Sequence, residues 1–257
     1  MQLFLEDGSY IITNEGIDCS IPLEASDANP RAWYVDAPVI EPVRANGWTG
    51  SVAEGGSVNF RNVFFNPHGH GTHTECLGHI TKEVYSVNGV IRTQFMKALL
   101  VSVEPETRVN GEDGETDRVI SAAHLAAALS GQEVEAVLIR TLPNLPAKRS
   151  MNYSATNPPY LDTDLIPLLD EANVKHLLVD MPSVDREKDG GKLDFHHAYW
   201  GVPDNQRFDR TITEMIFVED EVEDGIYLLN LETAPFVNDA TPSRPVIYPL
   251  HRNAESH

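Results

Sequence analysis

The amino-acid sequence predicts one α/β domain over residues 1–257, with a loop-rich first third. Three observations support this prediction. From Ala98 onward, short β-rich and helical segments alternate. The first ninety residues carry many Gly, Pro and Asn and few helix signals, a composition typical of hairpins and long loops. The length suffices for one large core, and neither an internal repeat nor a low-complexity linker divides the chain.

The alternation begins with ALLVSV at 98–103, a short β-rich run. SAAHLAAALS at 121–130 predicts a helix closed by Gly131, and VEAVLIR at 134–140 predicts the next strand. The later elements are a helix near 164–172, a strand at 176–180, a helical patch around 196–200, and strands at 212–218 and 226–231.

The composition excludes some classes of partner. Nineteen Lys and Arg against thirty-nine Asp and Glu give a net charge of −20, which repels a phosphate backbone, so we expect no nucleic-acid partner. No apolar run approaches the ~18 residues of a membrane-spanning helix. The opening MQLFLEDGSY has no apolar leader, and only Cys19 and Cys76 are present. We therefore expect a soluble cytoplasmic protein without disulfides.

The segment NPHGHGTHTECLGHI at 66–80 concentrates side chains of the kind that bind metals. Imidazole nitrogen and carboxylate oxygen are accepted by zinc, manganese and iron, and a catalytic site usually takes three protein groups. Four of the ten histidines of the chain fall within twelve residues, beside one acid: His68, His70, His73, His79 and Glu75. This density favours a divalent metal site over a polar loop with histidines by chance.

The spacing within the segment suggests how the ligands meet. His73 and Glu75 are two positions apart, so an extended backbone places both side chains on one face. Gly69 and Gly71 allow a tight turn that returns a preceding histidine to the same point. A loop followed by a strand could thus present His68, His73 and Glu75 to one ion.

The same segment resembles the signature of the metal-dependent cyclase family, which includes bacterial kynurenine formamidase and isatin hydrolase. In that family it commonly reads H-x-G-T-H-x-D-x-P-x-H, and this chain keeps Gly71, Thr72, His73, an acid at Glu75 and a histidine at His79. The resemblance implies a mixed, partly barrel-like central β-sheet flanked by helices, of the swivelling β/β/α type.

Two later blocks support the resemblance. LLVDMPSVDREKDGGKLDFHHAYW at 177–200 resembles the family's strand with an S-x-D turn and a short helix that carries a histidine. TITEMIFV at 211–218 resembles a later strand that bears a glutamate. The blocks occur in the family's order over roughly residues 60 to 220.

The resemblance implies roles for individual residues. His73 and Glu75 would bind a divalent metal, Zn or Mn, and His79 would lie beside the ion as acid/base or ligand. His196 and Glu214 would complete the pocket or hold a second ion, and Glu214 is also a catalytic candidate. Glu75 replaces the family's usual Asp and is one methylene longer, so a carboxylate that bridges two ions in the family could reach only one here.

Two choices stay open between neighbouring histidines. The family's first histidine lies at the position of Gly69, so either His68 with a one-residue bulge or His70 must serve. We expect His68, because the glycine provides room for a bulge, whereas a histidine that adjoins the turn is expected to point to solvent. His196 and His197 point about 100° apart on a helix, so only one of them is expected to face the site. We expect His196.

Other candidates have structural explanations. Glu214 lies in an apolar strand, where an inward carboxylate is costly without a partner, although an outward orientation is the alternative. Cys76 could be a nucleophile, but no triad order is evident, so we interpret it as a small buried side chain or a neighbour of the metal. We interpret His124 and His176 as structural. We expect His251 and His257 to belong to a loosely ordered tail.

The resemblance implies a hydrolase that cleaves a non-peptide amide C–N bond by metal-activated water. Its substrate would be an N-formyl aryl amine such as N-formylkynurenine, or a cyclic amide or lactone. His79 would pass the proton to the departing nitrogen. The resemblance also implies a homodimer or higher homo-oligomer. Aromatic side chains that could line the pocket are Trp33, Tyr34, Phe64, Phe65 and Trp200.

Two other classes remain as alternatives. The spacing of His68, His70 and Glu75 also resembles the first motif of the cupins, β-barrel proteins that often use iron or manganese for oxygen chemistry. That interpretation has no use for His79 or for the TITE strand. A non-catalytic metal-binding protein is the second alternative.

Overall fold

The computed structural model describes residues 1–252. Its strands, in chain order, are β1 (Gln2–Phe4), β2 (Tyr10–Ile12), β3 (Ile17–Asp18), β4 (Val39–Pro42), β5 (Arg44–Ala45), β6 (Trp48–Thr49), β7 (Arg61–Phe64), β8 (His73–Glu75), β9 (Phe95–Val103), β10 (Glu106–Val109), β11 (Thr116–Ile120), β12 (Ala136–Thr141), β13 (Tyr160–Leu161), β14 (His176–Val179), β15 (Thr211–Glu214), β16 (Gly225–Thr233) and β17 (Ala240–Pro249).

The helices are fewer than the strands. They are α1 (Ala122–Leu129), α2 (Leu165–Glu171) and α3 (Asp194–Trp200). Short 3₁₀ turns lie at Val52–Glu54, Leu77–His79, Val87–Gly89 and Pro146–Arg149. Up to β8 the described chain consists of short strands, hairpins and loops, as its Gly, Pro and Asn content predicts.

A closed barrel of seven strands forms the centre of the fold. Strands β9, β12, β14 and β15 run parallel to one another. Strand β8 lies antiparallel between β15 and β17, and β16 lies antiparallel between β9 and β17. The pairing of β16 with β17 closes the barrel, and β3 pairs with β17 as an eighth strand. This architecture confirms the predicted α/β class and its mixed, barrel-like sheet.

The parallel part of the barrel is covered on both faces. All six residues of β12, AVLIRT, are buried, as parallel strands under helices require. Helix α1 buries Leu125 and Leu129, and α2 buries Leu165 and Leu169. In each pair the residues are four apart and therefore share one helix face. Full burial of one leucine side chain contributes roughly 1.5–3 kcal/mol, so these pairs fix the helices in place.

The register of the antiparallel strands brings distant residues together. Glu214 at the end of β15 lies opposite His73 of β8. On the other side of β8, Ala240 of β17 lies opposite Glu75. Between the strands, the hydroxyl groups of Thr74 and Thr213 are 2.7 Å apart and form a buried hydrogen bond. The barrel wall therefore sets which side chains meet at β8.

One predicted strand is shorter than expected. The strand predicted over 212–218 ends at Glu214, because Met215 has a φ of 55°, in the left-handed region that interrupts an extended backbone. The hydroxyl of Thr72 donates a hydrogen bond of 2.6 Å to the Met215 carbonyl, which holds this conformation. Strain of this kind often lies at functional sites.

Strand β17 is not predicted by the sequence, although it spans ten residues. It contains Pro242, Pro245 and Pro249, and proline within an apolar run argues against a central strand.

The prediction of a loosely ordered tail is wrong at His251, which forms a β-bridge with Tyr10. The second residue of that prediction, His257, lies outside the described residues. Within residues 1–252, no helix is both long enough and apolar enough to span a membrane.

We expect His176 to make stability depend on pH. Burial lowers the pKa of His176, beside Lys175, from 6.5 to about 4. Between these values the unfolded chain binds the proton and the folded chain does not, so the free energy of unfolding falls as the pH drops from 6.5 towards 4. Urea unfolding at pH 7 and pH 5 should show a loss about 2 kcal/mol larger in the natural chain than in His176→Gln. Equal losses in the two proteins would refute this role.

Candidate metal centre

The carboxylate of Glu75 lies at the centre of a cluster of imidazole rings. Its Oε1 atom is 3.0 Å from Nε2 of His196, and its Oε2 atom is 3.0 Å from Nδ1 of His68. Nε2 of His79 is 3.9 Å from the same Oε2 atom. Glu75 and His196 are buried, whereas His68 and His79 are partly exposed. Three imidazole rings therefore converge on one carboxylate.

A second group of ligand atoms adjoins the first through β8. Nε2 of His73 is 3.3 Å from Oε2 of Glu214, and both side chains are buried. One ligand atom from each of His73, Glu75 and Glu214 lies within 4.8 Å of the others. The same holds for His68, Glu75 and His79. Glu75 is therefore shared by two groups, each of which could hold a cation.

Small residues shape the backbone around these ligands. Gly71 has a φ of 119°, which a side chain would rarely allow, and it precedes β8 by two residues. At Gly78 an added Cβ would lie 2.3 Å from the carbonyl oxygen of Tyr85. Only glycine fits there, in the 3₁₀ turn that ends at His79. Both glycines thus permit the turns that carry ligand-type histidines to the cluster.

Of the two histidines before β8, the structure brings His68 to the cluster and leaves His70 outside it. Nδ1 of His70 accepts a hydrogen bond of 2.7 Å from the Asn66 backbone, and its Nε2 lies 2.6 Å from the carbonyl oxygen of Asp36. Both ring nitrogens are thereby engaged in holding the loop. His70 is buried, not directed to solvent as we expected from its place beside the turn.

Of the two adjacent histidines of α3, the structure brings His196 to Glu75. Nδ1 of His197 lies 3.2 Å from the carbonyl oxygen of Val202, on the side of the helix that faces away from the cluster. The opposite nitrogen of His196, Nδ1, lies 2.5 Å from Oδ2 of Asp185. Asp185 also accepts hydrogen bonds from the backbone of Phe195 and His196. It thereby fixes the start of α3 as well as the ring.

All four histidines of the cluster share one arrangement of their ring nitrogens. One nitrogen faces Glu75 or Glu214, and the other lies against a carboxylate or a carbonyl oxygen. The acceptors for the outer nitrogens are Asp239 for His68 and His79, the Gly71 carbonyl for His73, and Asp185 for His196. Because these acceptors only accept, the outer nitrogens donate, as metal-binding histidines usually do.

The charges of the cluster perturb its titration. Burial opposes protonation of His68 and His196, yet their carboxylate neighbours outweigh it and raise the pKa of each to about 10. Burial alone would raise the pKa of Glu75, but His79, His196 and His68 hold it well below its usual range. The cluster is therefore a strong attractor of positive charge.

Two buried atoms in the cluster lack a hydrogen-bond partner. Nε2 of His73 and Oε2 of Glu75 are inaccessible to solvent and, within residues 1–252, have no partner of suitable geometry. An unsatisfied buried polar atom costs free energy, and each such atom calls for an explanation. Both atoms belong to side chains of the kind that bind metals, and each faces another such side chain. A divalent ion held by imidazole and carboxylate groups, such as Zn or Mn, fits this donor set.

The family model for Cyclase matches residues 17–186, about two thirds of the chain. The chain belongs to the Cyclase family. A kynurenine formamidase from Bacillus thuringiensis is 29% identical over 240 residues, which cover 93% of this chain and 99% of that protein. A kynurenine formamidase from Bacillus cereus is likewise 29% identical over 240 residues, with the same coverage of both chains.

Solved structures share the fold of this Cyclase-family chain. An isatin hydrolase bound to the product analogue thioisatinate superimposes with a TM-score of 0.63 at 14% identity, over 96% of this chain and 94% of that chain. A structure described as a predicted metal-dependent hydrolase from Bacillus stearothermophilus gives a TM-score of 0.59 at 16% identity, over 91% and 97%. At these identities the likeness shows the fold alone.

Asp239 is a member of this Cyclase-family cluster that sequence reasoning misses. Its Oδ2 atom is 2.9 Å from Nε2 of His68 and 3.4 Å from Nδ1 of His79. Hydrogen bonds from these two rings hold the pKa of Asp239 below its usual range. Asp239 directly precedes β17, a strand that the sequence does not predict, and no motif marks the segment APFVNDATP. No signal in the single sequence could have found it.

Matched glutamine variants should separate the ligands from their neighbours. We expect His68→Gln and His196→Gln to weaken Zn²⁺ or Mn²⁺ binding by more than the ~10–100-fold that loss of an outer partner causes. His197→Gln, which changes the same residue type next to His196, is the matched control and should leave the affinity within about threefold of the natural chain. The measurement is competition with a chromogenic chelator, with thermal unfolding as the folding control. Equal affinities in His196→Gln and His197→Gln would contradict the geometry.

Proposed function

We propose that this chain is a metal-dependent hydrolase of non-peptide amide C–N bonds, acting as one domain over residues 1–257. The proposed substrates are N-formyl aryl amines such as N-formylkynurenine, with cyclic amides or lactones as the second class. The observation that carries the proposal is the convergence of two groups of metal-ligating atoms on Glu75, with His79 at their edge. The relatives described as kynurenine formamidase and the isatin hydrolase fold support an amide substrate.

The proposed metal is Zn or Mn, held by His68, His73, Glu75, His196 and Glu214. When bound, such an ion lowers the pKa of a coordinated water to about 7 and polarises a substrate carbonyl. The imidazoles and carboxylates named here would place the ion at one point of the barrel wall. Outer contacts such as the one from Asp185 to His196 keep each ring in a fixed orientation.

His79 is the proposed acid/base. Its side chain is 32% exposed, the highest exposure among the four clustered histidines, so it can reach a substrate that the buried rings cannot. Imidazole both accepts and donates protons under physiological conditions. In the proposed reaction a water molecule adds to the substrate carbonyl carbon and His79 takes up the proton that the water loses. His79 then gives this proton to the departing nitrogen while the C–N bond breaks, which leaves a carboxylate and an amine. Glu214, buried at the end of β15, serves as ligand and as a second candidate catalytic carboxylate.

Aromatic side chains close in sequence to members of the cluster suit an aryl substrate. The rings of Phe65 and Phe236 are 6.1 Å apart and lie three residues before His68 and Asp239 respectively. Trp200 has a different role from the one we expected, because it is fully buried and its ring centroid is 5.1 Å from that of His196. It supports the histidine from the core and does not line an open pocket.

The cupin alternative is disfavoured by the fold. Strands β9, β12, β14 and β15 are parallel, and helices cover them, whereas the cupin double sheet is antiparallel. In addition, His70 of the cupin-like spacing lies outside the cluster. The second alternative is a non-catalytic metal-binding protein. Such a protein would bind the metal but hydrolyse no substrate, so a hydrolysis assay distinguishes it from the proposed function.

The decisive assay uses N-formylkynurenine and isatin as substrates. We expect metal-loaded protein to hydrolyse at least one of them, chelation to abolish turnover, and added Zn²⁺ or Mn²⁺ to restore it. His79→Gln should lower kcat by at least about 100-fold, because a positioned acid/base contributes roughly 10²–10⁴-fold, while metal content stays unchanged. His197→Gln is the matched control and should keep full activity. Bound metal without turnover on either substrate would favour the non-catalytic alternative.

We propose that the chain forms a homodimer or higher homo-oligomer in the cytoplasm. Cys19 and Cys76 are free and buried, which suits a reducing compartment. Strands β4 and β7 form a two-stranded sheet that, among the described residues, pairs with no further strand. Such a ribbon is marginal on its own, and it exposes Val39, Val63 and Phe64. A second copy of the chain would cover this surface.

Sedimentation equilibrium tests this assembly. We expect the natural chain to sediment as a dimer or larger species at micromolar concentration. The double variant Val63→Lys, Phe64→Lys should shift it toward monomer, because two charges cannot enter an apolar interface without a partner. A natural chain that is monomeric at every accessible concentration would refute the proposal.

A further inference from the structure

Asp239 contacts two histidines that have different proposed roles. A single oxygen, Oδ2, lies 2.9 Å from Nε2 of His68 and 3.4 Å from Nδ1 of His79. The two rings lie side by side, with centroids 4.2 Å apart and planes tilted by 30°. Their opposite nitrogens, Nδ1 of His68 and Nε2 of His79, face Oε2 of Glu75. One carboxylate thus holds both rings from the side away from Glu75.

The position of Asp239 is fixed by the backbone of the metal-ligating segment itself. The amide of Cys76, next to Glu75, donates a hydrogen bond of 3.1 Å to the Asp239 carbonyl. The amide of Val87 donates to the Asn238 carbonyl at 3.0 Å, and the Asn238 side chain donates to the carbonyl of Ala240. The residue after Asp239 lies opposite Glu75 in the barrel. These hydrogen bonds and the strand pairing therefore hold the carboxylate beside the two rings.

A carboxylate in this place selects one arrangement of protons. Because it only accepts hydrogen bonds, the outer nitrogens of both rings must donate. The inner nitrogen of each ring then carries the free lone pair. In His68 this lone pair can bind a cation, and in His79 it can accept a proton. Outer partners of metal-binding histidines usually fix the ring and its tautomer in this way.

We propose that Asp239 is a positioning residue that orients His68 for metal binding and His79 for proton transfer. The inference rests on the proposed function, and it goes beyond it by coupling two roles through one oxygen atom. Asp185 does the same for His196 alone. The Asp239 carboxylate acts through the two rings and not on the substrate or the ion.

The first test measures metal binding without any substrate. Asp239→Asn keeps the size of the side chain and removes its charge. We expect Zn²⁺ affinity, measured by competition with a chromogenic chelator, to fall about 10–100-fold. Asp224→Asn is the matched control, since Asp224 also accepts hydrogen bonds from two neighbours, Ser102 and Arg140, away from the cluster. It should leave the affinity unchanged. Urea unfolding of both variants checks that they fold.

The second test is a double-mutant cycle at saturating Zn²⁺ with the better of the two substrates. Asp239→Asn should lower kcat about 10-fold or more and leave KM unchanged, because binding does not use His79. In a His79→Gln background, Asp239→Asn should lower kcat no further, while it still weakens Zn²⁺ binding. A structural role would reduce kcat by the same factor in both backgrounds.

The outcomes separate failure of this inference from failure of the proposed function. Natural affinity and natural kcat in Asp239→Asn would overturn the positioning role. Loss of Zn²⁺ binding as severe as in His68→Gln would also overturn it, because Asp239 would then be a ligand. If the natural chain hydrolyses neither substrate, the proposed function fails, and the affinity measurement alone decides whether Asp239 orients His68.

Discussion

The structure of the site depends on one buried carboxylate, that of Glu75. An ionised carboxyl group removed from water is costly unless charges and hydrogen bonds replace its hydration. Here three imidazoles surround it, and they hold its pKa well below the usual range despite burial. The arrangement is self-consistent only if positive charge resides between these groups, as protons or as a metal ion. Both compete for the same nitrogens, so metal affinity and pH are linked.

The barrel supplies the second constraint, because it joins residues that are far apart in sequence. Strand β8 can carry His73 and Glu75 to the site only while β15 and β17 flank it. The first neighbour brings Glu214, and the second brings Asp239. Closure of the barrel by β16 and β17 therefore determines the ligand environment as well as the stability of the sheet.

The single sequence predicted the parts of this structure that short-range patterns encode. The apolar runs that become β9, β12 and β14 are recognisable because both faces of these strands are buried, and α1 is recognisable from its alanine-rich run closed by Gly131. The histidine-rich segment stands out because its residue types are rare and concentrated. Strand β17 was not predicted, because its prolines argue against a strand. The end of β15 was not predicted either, because Met215 adopts its left-handed conformation through a contact with distant Thr72.

Site residues divide in the same way into those that a local pattern marks and those that it does not. His68 and His70 differ by a local turn, so glycine spacing could favour one of them. Asp239 has no local signature, since its role comes from a register between β8 and β17 that only the closed barrel defines. A carboxylate that orients a histidine ring needs only to lie beside that ring, and its role does not require a local sequence motif. Any loop that the fold brings near the ring can therefore supply it. Candidate site residues can thus be recognised in a sequence when a local motif contains them, whereas the groups that orient them follow from tertiary structure.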